Sequence, residues 1–399
     1  MTEAPLPIIG VVGAGTMGAG IAQLALEHGH EVVLHDVDEA AIARGRERIR
    51  DGLERRAIKL GLDAETVEAW IEGRLGRLRE AETLAGLGGE VDVAIEAALE
   101  DLELKREIFR ALDAACSADT ILATNTSALS VTAIAAVTSR PERVVGLHFF
   151  NPAPVMKLVE VVTTPLTQPA IADRAAALVA SWDRTPIRCS DVPGFVVNRV
   201  NRPFTLEALR MLEAGDGSVE EIDAAIRAAG FPMGPFELMD LIGIDVNLAA
   251  ARGLHDAFLR MEPQAAERFR PSPIQERLAA EGRFGRKSAV GFYRYADGRA
   301  TGPADEFAVA PPAPVAAAAI RDRITLAIVA EAYRAVESGV ASAEDVDLAL
   351  RLGAGHPTGP FALAAELTTS VVLRRLRELS VLGPRFEPPR SLVEAVERG

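Results

Sequence analysis

Gly13-Ala14-Gly15-Thr16-Met17-Gly18 follows the apolar run Pro7 to Val12 and precedes the amphipathic stretch Ala19 to His30. In that setting Gly13 permits a tight turn, Gly15 lets backbone approach a pyrophosphate, and Gly18 lets a helix pack closely on a sheet. The N–H groups that open the helix, those of Thr16 and Met17 among them, then face phosphates. Asp36 closes the next apolar run, Glu31 to His35. A carboxylate there accepts ribose hydroxyls and repels a 2′-phosphate, so the expected ligand is NAD rather than NADP.

A second constellation spans Asn125-Thr126-Ser127, Gly146-Leu147-His148-Phe149-Phe150-Asn151-Pro152 and Met156 to Glu160. A histidine between leucine and phenylalanines serves a buried core as readily as a reaction. If it reacts, an imidazole suits removal of a hydroxyl proton near neutral pH as hydride leaves the same carbon. Glu160 could orient that ring and stabilise its cation. Spacing alone does not establish that the two side chains meet.

The elements that position these residues follow from pattern. Residues 7–36 read strand, glycine turn, helix, strand, one complete βαβ unit. Residues 38–82 read as charged helical sequence, and apolar runs at 91–97, 120–125 and 143–150 alternate with helix-like segments. The fold class expected is α/β, a Rossmann-type doubly wound parallel sheet. An all-α domain with a duplicated helical unit should follow, because from residue 188 the chain turns to helices broken by Gly and Pro. A 124-residue shift aligns Glu207, Arg210, Glu213, Gly215, Ser218 and Asp223 with Glu331, Arg334, Glu337, Gly339, Ser342 and Asp347. One inserted residue later, Pro232, Gly234, Pro235 and Phe236 align with Pro357, Gly359, Pro360 and Phe361. Self-similarity in one register reports a duplicated unit. The expected divisions are 1–187 for the nucleotide domain, 188–297 for the first helical copy, 298–314 for a Pro- and Ala-rich linker, and 315–399 for a second, degenerate copy.

The 399 residues carry a formal net charge of -14, which repels polyanions and argues against nucleic acid. An anionic substrate would need a local basic patch. Cys116 and Cys189 are too few for a disulfide framework or a zinc site, so no metal and a reducing cytoplasmic compartment are expected. No signal peptide or membrane-spanning apolar run is expected either. The Arg-rich stretch holding Arg44, Arg46, Arg48, Arg55 and Arg56 is interleaved with Glu47, Asp51 and Glu54, and reads mainly as a solvated face with one or two arginines available to phosphates.

GVVGAGTMGAGIA, NTSAL, GLHFFNP, PVMKLVEVV, DVPGFVVNR and MGPFELMD resemble, in order and spacing, the 3-hydroxyacyl-CoA dehydrogenase family. The duplicated helical unit is similar to the long bacterial form, the 3-hydroxybutyryl-CoA dehydrogenases. The resemblance implies an NAD-dependent oxidation of a coenzyme A thioester, with His148 as base and Glu160 as its partner. It implies that Ser127 bonds the substrate's 3-oxygen near the nicotinamide and that Asn198 holds the reacting carbon chain. Cofactor contacts fall on Glu100, Lys105, Asn125, Asn151 and Lys287, and a CoA contact on Lys59. A serine that assists that lysine in some relatives is replaced by Gly52. Single-copy relatives pair this helical domain with its twin, so the chain is expected as a monomer or homodimer whose second copy replaces a dimer partner. Two alternatives stay open: a hydroxyacid or sugar-acid dehydrogenase that does not use CoA, and a non-catalytic NAD-binding protein.

Overall fold

The computed structural model describes residues 5–308 and 315–398. The chain divides into two compact units, Met1–Val192 and Pro193–Gly399.

The first unit holds strands β1 (Ile9–Val12), β2 (Val32–His35), β3 (Leu78–Glu80), β4 (Val93–Glu96), β5 (Ile121–Thr124), β6 (Val144–Phe149), β7 (Leu158–Thr163) and β8 (Thr185–Ser190). They form one sheet in the order β3-β2-β1-β4-β5-β6-β7-β8. All pairings are parallel except β6 with β7. Helices α1 (Thr16–Glu27), α2 (Glu39–Lys59), α3 (Ala64–Leu75), α4 (Leu84–Gly88), α5 (Leu102–Ala115), α6 (Val131–Ala135) and α7 (Pro169–Ser181) connect them. β1, β2, β4 and β5 are buried at every position, as strands covered on both faces must be. Strand order reverses at β1 and β4, which opens a ligand crevice at the C-terminal ends of these strands.

Two expectations need correction here. The stretch 38–82 is not helical throughout: it holds α2, a break at Leu60 to Asp63, α3 and the edge strand β3. Asp63 starts α3 by accepting the Thr66 N–H at 2.9 Å. A boundary at residue 187 would cut β8, which pairs with β7 from Thr185 to Ser190, so the first unit runs on to Val192.

The second unit begins with α8 (Val197–Val200), α9 (Arg202–Ala214), α10 (Val219–Ala228), α11 (Pro235–Ile242), α12 (Ile244–Met261), α13 (Pro263–Ala266) and α14 (Pro273–Ala280). A hairpin of β9 (Tyr293–Ala296) and β10 (Arg299–Pro303) follows. β10 lies inside the Pro- and Ala-rich stretch expected as linker, and Gly302 and Pro303 of that stretch sit in an irregular edge strand. Residues 309–314 of that stretch lie outside the described residues. Then come α15 (Ala317–Glu337), α16 (Ala343–Gly353), α17 (Pro360–Leu367), α18 (Thr369–Leu379) and α19 (Arg390–Arg398). The starts of α16, α17 and α18 repeat those of α10, α11 and α12 at the sequence offsets.

The two copies pack reciprocally. Arg199 Nε bonds Glu331 Oε1 at 2.8 Å, and Arg323 Nε bonds Glu207 Oε2 at 3.0 Å. Each partner is its counterpart's image at the 124-residue shift. A Cβ on Gly230 would stand 3.3 Å from Pro357, and one on Gly355 would stand 3.3 Å from Pro232. Contacts in which i meets j and the image of j meets the image of i are those of an isologous two-fold, here built within one chain.

Candidate active site

The glycine turn between β1 and α1 has the geometry a nucleotide phosphate needs. Gly13 sits at φ 102, and a Cβ there would come within 2.7 Å of the Ala97 carbonyl oxygen. At Gly18 a Cβ would collide with the Gly13 carbonyl at 1.8 Å. At Gly15, the N-cap of α1, a Cβ would meet nothing within 4 Å. Thr16 and Met17 then open the helix with their N–H groups at the turn. Asp36, just after β2, accepts the Ala14 N–H at 2.8 Å through one oxygen and is half-buried. Open space over Gly15, a helix N-terminus and this carboxylate together fit NAD.

β4 and β5 deliver a buried polar network beside the turn. Glu96, at the end of β4, is fully buried and accepts Lys105 Nζ at 2.6 Å, the Ala98 N–H at 2.7 Å and Thr124 Oγ1 at 2.6 Å. Lys105 is itself buried and reaches Glu100 at 3.4 Å. Glu100 in turn accepts Thr126 Oγ1 at 2.7 Å and the Ser127 N–H at 2.9 Å. Burial pushes the Glu100 carboxyl up, but the Thr126 bond, the Lys105 charge and the Ser127 N–H outweigh it and hold it below the usual glutamate value. Lys105 is thus spent on two glutamates, and Glu100 fixes the loop that presents Ser127. Glu96 escaped sequence reading, since a carboxylate ending an apolar strand leaves no local mark.

His148 lies on β6 and Glu160 on β7, and antiparallel register sets them directly opposite. His148 Nδ1 lies 2.6 Å from Glu160 Oε2; the glutamate is fully buried and the histidine 6% exposed. The Phe150 ring lies 4.4 Å from the imidazole, centroid to centroid. Asn125 Oδ1 accepts the Phe149 N–H at 2.9 Å and ties the end of β5 to the histidine strand. Asn151 follows β6 at an exposed position. The contact fits the tautomer in which Nδ1–H donates to the carboxylate and the ring lone pair is on Nε2.

A cleft of about 640 Å³ in the same unit is lined by Arg48, Arg55, Arg56, Lys59, Lys157 and Arg184 against Glu27, Asp51 and Asp183. It is a local basic patch on an acidic chain, the kind of surface that attracts anions. Arg44 and Arg46 instead pair with Asp38 and Glu80 at 3.4 Å and 3.3 Å, as a solvated face would. The part of Lys157 and Arg184 in this cleft was not foreseen, because they stand just before β7 and β8, far in sequence from α2. Gly52 also lines the cleft, and a Cβ there would stand 1.9 Å from Gln23 Oε1. Gln23 fills the space that a side chain at residue 52 would use.

In the second unit, Asn198 lies half-buried on α8. Lys287 is half-exposed, and its Nζ bonds Asp245 Oδ2 at 2.7 Å. No helix among the described residues is long and apolar enough to cross a membrane.

Residues 8–192 match the family described as 3-hydroxyacyl-CoA dehydrogenase, NAD binding domain, and residues 194–295 and 320–399 match the 3-hydroxyacyl-CoA dehydrogenase C-terminal domain. The chain is 38% identical to 3-hydroxyadipyl-CoA dehydrogenase of Escherichia coli K12, over 93% of each. It is 41% identical to mitochondrial hydroxyacyl-coenzyme A dehydrogenase of Sus scrofa, over 71% of this chain and 90% of that one. A crystal structure of 3-hydroxybutyryl-CoA dehydrogenase from Escherichia coli K12 superposes with a TM-score of 0.86 at 36% identity, covering 98% of both chains.

Proposed function

The chain belongs to the 3-hydroxyacyl-CoA dehydrogenase family and is an NAD-dependent oxidoreductase. From that premise we propose that it oxidises the 3-hydroxyl of short-chain L-3-hydroxyacyl-CoA esters, 3-hydroxybutyryl-CoA among them, to the ketone. The observation that carries this reading is the 2.6 Å bond between His148 Nδ1 and Glu160 Oε2 across β6 and β7. It locks the ring and leaves Nε2 as general base.

Nε2 takes the hydroxyl proton as the C3–H bond breaks. NAD, when bound, supplies the acceptor for the hydride. The imidazolium that forms keeps its charge opposite the buried Glu160 carboxylate, which removes much of the cost of making a cation in a site of low polarity. Ser127 donates to the 3-oxygen and Asn198 holds the reacting carbons. Asp36 takes the ribose. Glu100, Lys105, Asn125, Asn151 and Lys287 complete the cofactor's surroundings, Lys105 acting through Glu100. Lys59 and the arginines of the cleft hold the CoA phosphates, which a hydroxyacid without CoA would not need. The second helical copy stands in for a dimer partner, and the enzyme works in the cytoplasm.

Turnover of 3-ketoacyl-CoA esters of increasing length, followed by NADH absorbance beside gulonate, tests this. Among esters whose acyl chain ends in methyl the shortest should react fastest, and gulonate should not react at all. Turnover of gulonate with inert CoA esters would overturn the reading.

A further inference from the structure

Arg202 opens α9 with 8% of its surface exposed, and its Nε is buried without a partner. No carboxylate among the described residues pairs with its guanidinium. The other buried arginines of this unit are paired: Arg199 with Glu331, and Arg323 with Glu207 and Asp216. Burial brings the Arg202 pKa down only to about 10, so it remains a cation at neutral pH. A buried cation with no counter-charge is unfavourable, and a missing anion explains it better than packing does.

The duplicated copy shows what packing alone asks for. Position 202 maps onto Leu326 and position 247 onto Val372, and those two belong to one apolar cluster with Leu373 and Leu376. Where the second copy has leucine and valine, the first has Arg202 and Asn247. Asn247 is 7% exposed and accepts Gln275 Nε2 at 2.7 Å. Gln275 is fully buried, with an Oε1 that has no partner. Its helix, α14, packs on both α9 and α12. Arg202 Nε and Gln275 Oε1 are thus both buried without a partner, on two helices that pack together, α9 and α14.

Asn201 joins α8 to α9 in helical geometry, φ -82 and ψ -8. Asn198 and Arg202 therefore share one helix face, about 6 Å apart along the axis. We propose, resting on the role given above to Asn198, that Arg202 binds a carboxylate at the far end of the acyl chain, with the Asn247 and Gln275 amides beside it. The preferred substrates are then L-3-hydroxyacyl-CoA esters ending in a second carboxylate, about two or three carbons beyond the hydroxyl carbon by the ~6 Å spacing. A guanidinium fork matches a carboxylate with two parallel bonds.

The test is the ratio of kcat/KM for 3-hydroxyadipyl-CoA to that for 3-hydroxyhexanoyl-CoA, equal in length but ending in methyl. In the wild type the ratio should be about 10 to 100, the size of a lost charge-assisted bond. In Arg202→Leu, which carries the residue of the second copy, it should fall toward one, and Arg202→Lys should keep part of it. A wild-type ratio of one or less, or a leucine variant that loses both esters in equal proportion, overturns the proposal while leaving the oxidation itself intact. If the wild type oxidises neither ester, the active-site reading fails and takes the proposal with it.

Discussion

The two helical copies agree in how they pack and differ in what they present. α15 runs unbroken through the positions equivalent to residues 193–213. The first copy instead breaks there, with Gly194 at φ 76 and Phe195 at φ 47, before α8 places Asn198. Asn198 maps onto Asp322, which in the second copy pairs with Arg375 at 2.7 Å. The buried glutamates, by contrast, were kept in both: Glu207 is bonded by Arg210, Arg323 and Arg385, and Glu331 by Arg199 and Arg268. Duplication preserved the surface through which the copies hold each other and released the loop and asparagine that the chemistry would use.

Removing the second copy is the most severe way to break this comparison. Truncation near Gly298 would uncover Arg199 and Glu207 along with the apolar face now covered by Ile320 and Ile324 of α15. Such a fragment should bind NAD through its first unit and dimerise or aggregate. A truncated protein that light scattering finds monomeric at micromolar concentration would show that the copies do not need each other.

Glu331→Ala is milder. It strips the counter-charge from the buried Arg199 and should cost about 3–5 kcal/mol in denaturant unfolding, the range for breaking a buried ion pair from one side. A loss below about 0.5 kcal/mol, typical of a surface substitution, would assign the packing elsewhere. The same groups set an acid limit. Burial pushes Glu207 and Glu331 up, but the charges of their arginines outweigh it and hold both below the usual 4.5. A folded pKa below the unfolded one stabilises the fold above the unfolded value, and that stability is lost as pH falls through the folded value. Thermal stability should therefore decline below about pH 4.5, and less steeply in Glu331→Gln.

Asn198→Ala and Asp322→Ala sharpen the comparison at matched positions. The first should lower kcat/KM by about 10- to 100-fold, as for one lost substrate hydrogen bond. The second removes a partly exposed ion pair and should leave activity near wild type. Equal losses would mean that the second copy still contributes chemistry.

Legibility in the sequence tracked how local each signal is. Gly13, Gly15, Gly18 and Asp36 act within one βαβ unit, and their order along the chain displays their job. The duplication was legible too, because both copies retain the capping serines Ser218 and Ser342 and the turns before Pro235 and Pro360. The meeting of His148 with Glu160 depends on β7 running antiparallel to its neighbour, which a 12-residue spacing does not specify. Glu96, Lys157 and Arg184 act across the sheet and look ordinary along the chain. Arg202 looks ordinary as well, since an arginine beginning a helix suggests solvent until its burial is seen.

The central claim is that His148, oriented by Glu160, is the base in an NAD-linked oxidation. Single-turnover NADH formation from L-3-hydroxybutyryl-CoA, compared between wild type and His148→Gln, tests it most directly. The variant should bind NAD as the wild type does and form NADH about 10²- to 10⁴-fold more slowly. An unchanged rate in His148→Gln would remove the histidine from the chemistry and contradict the account.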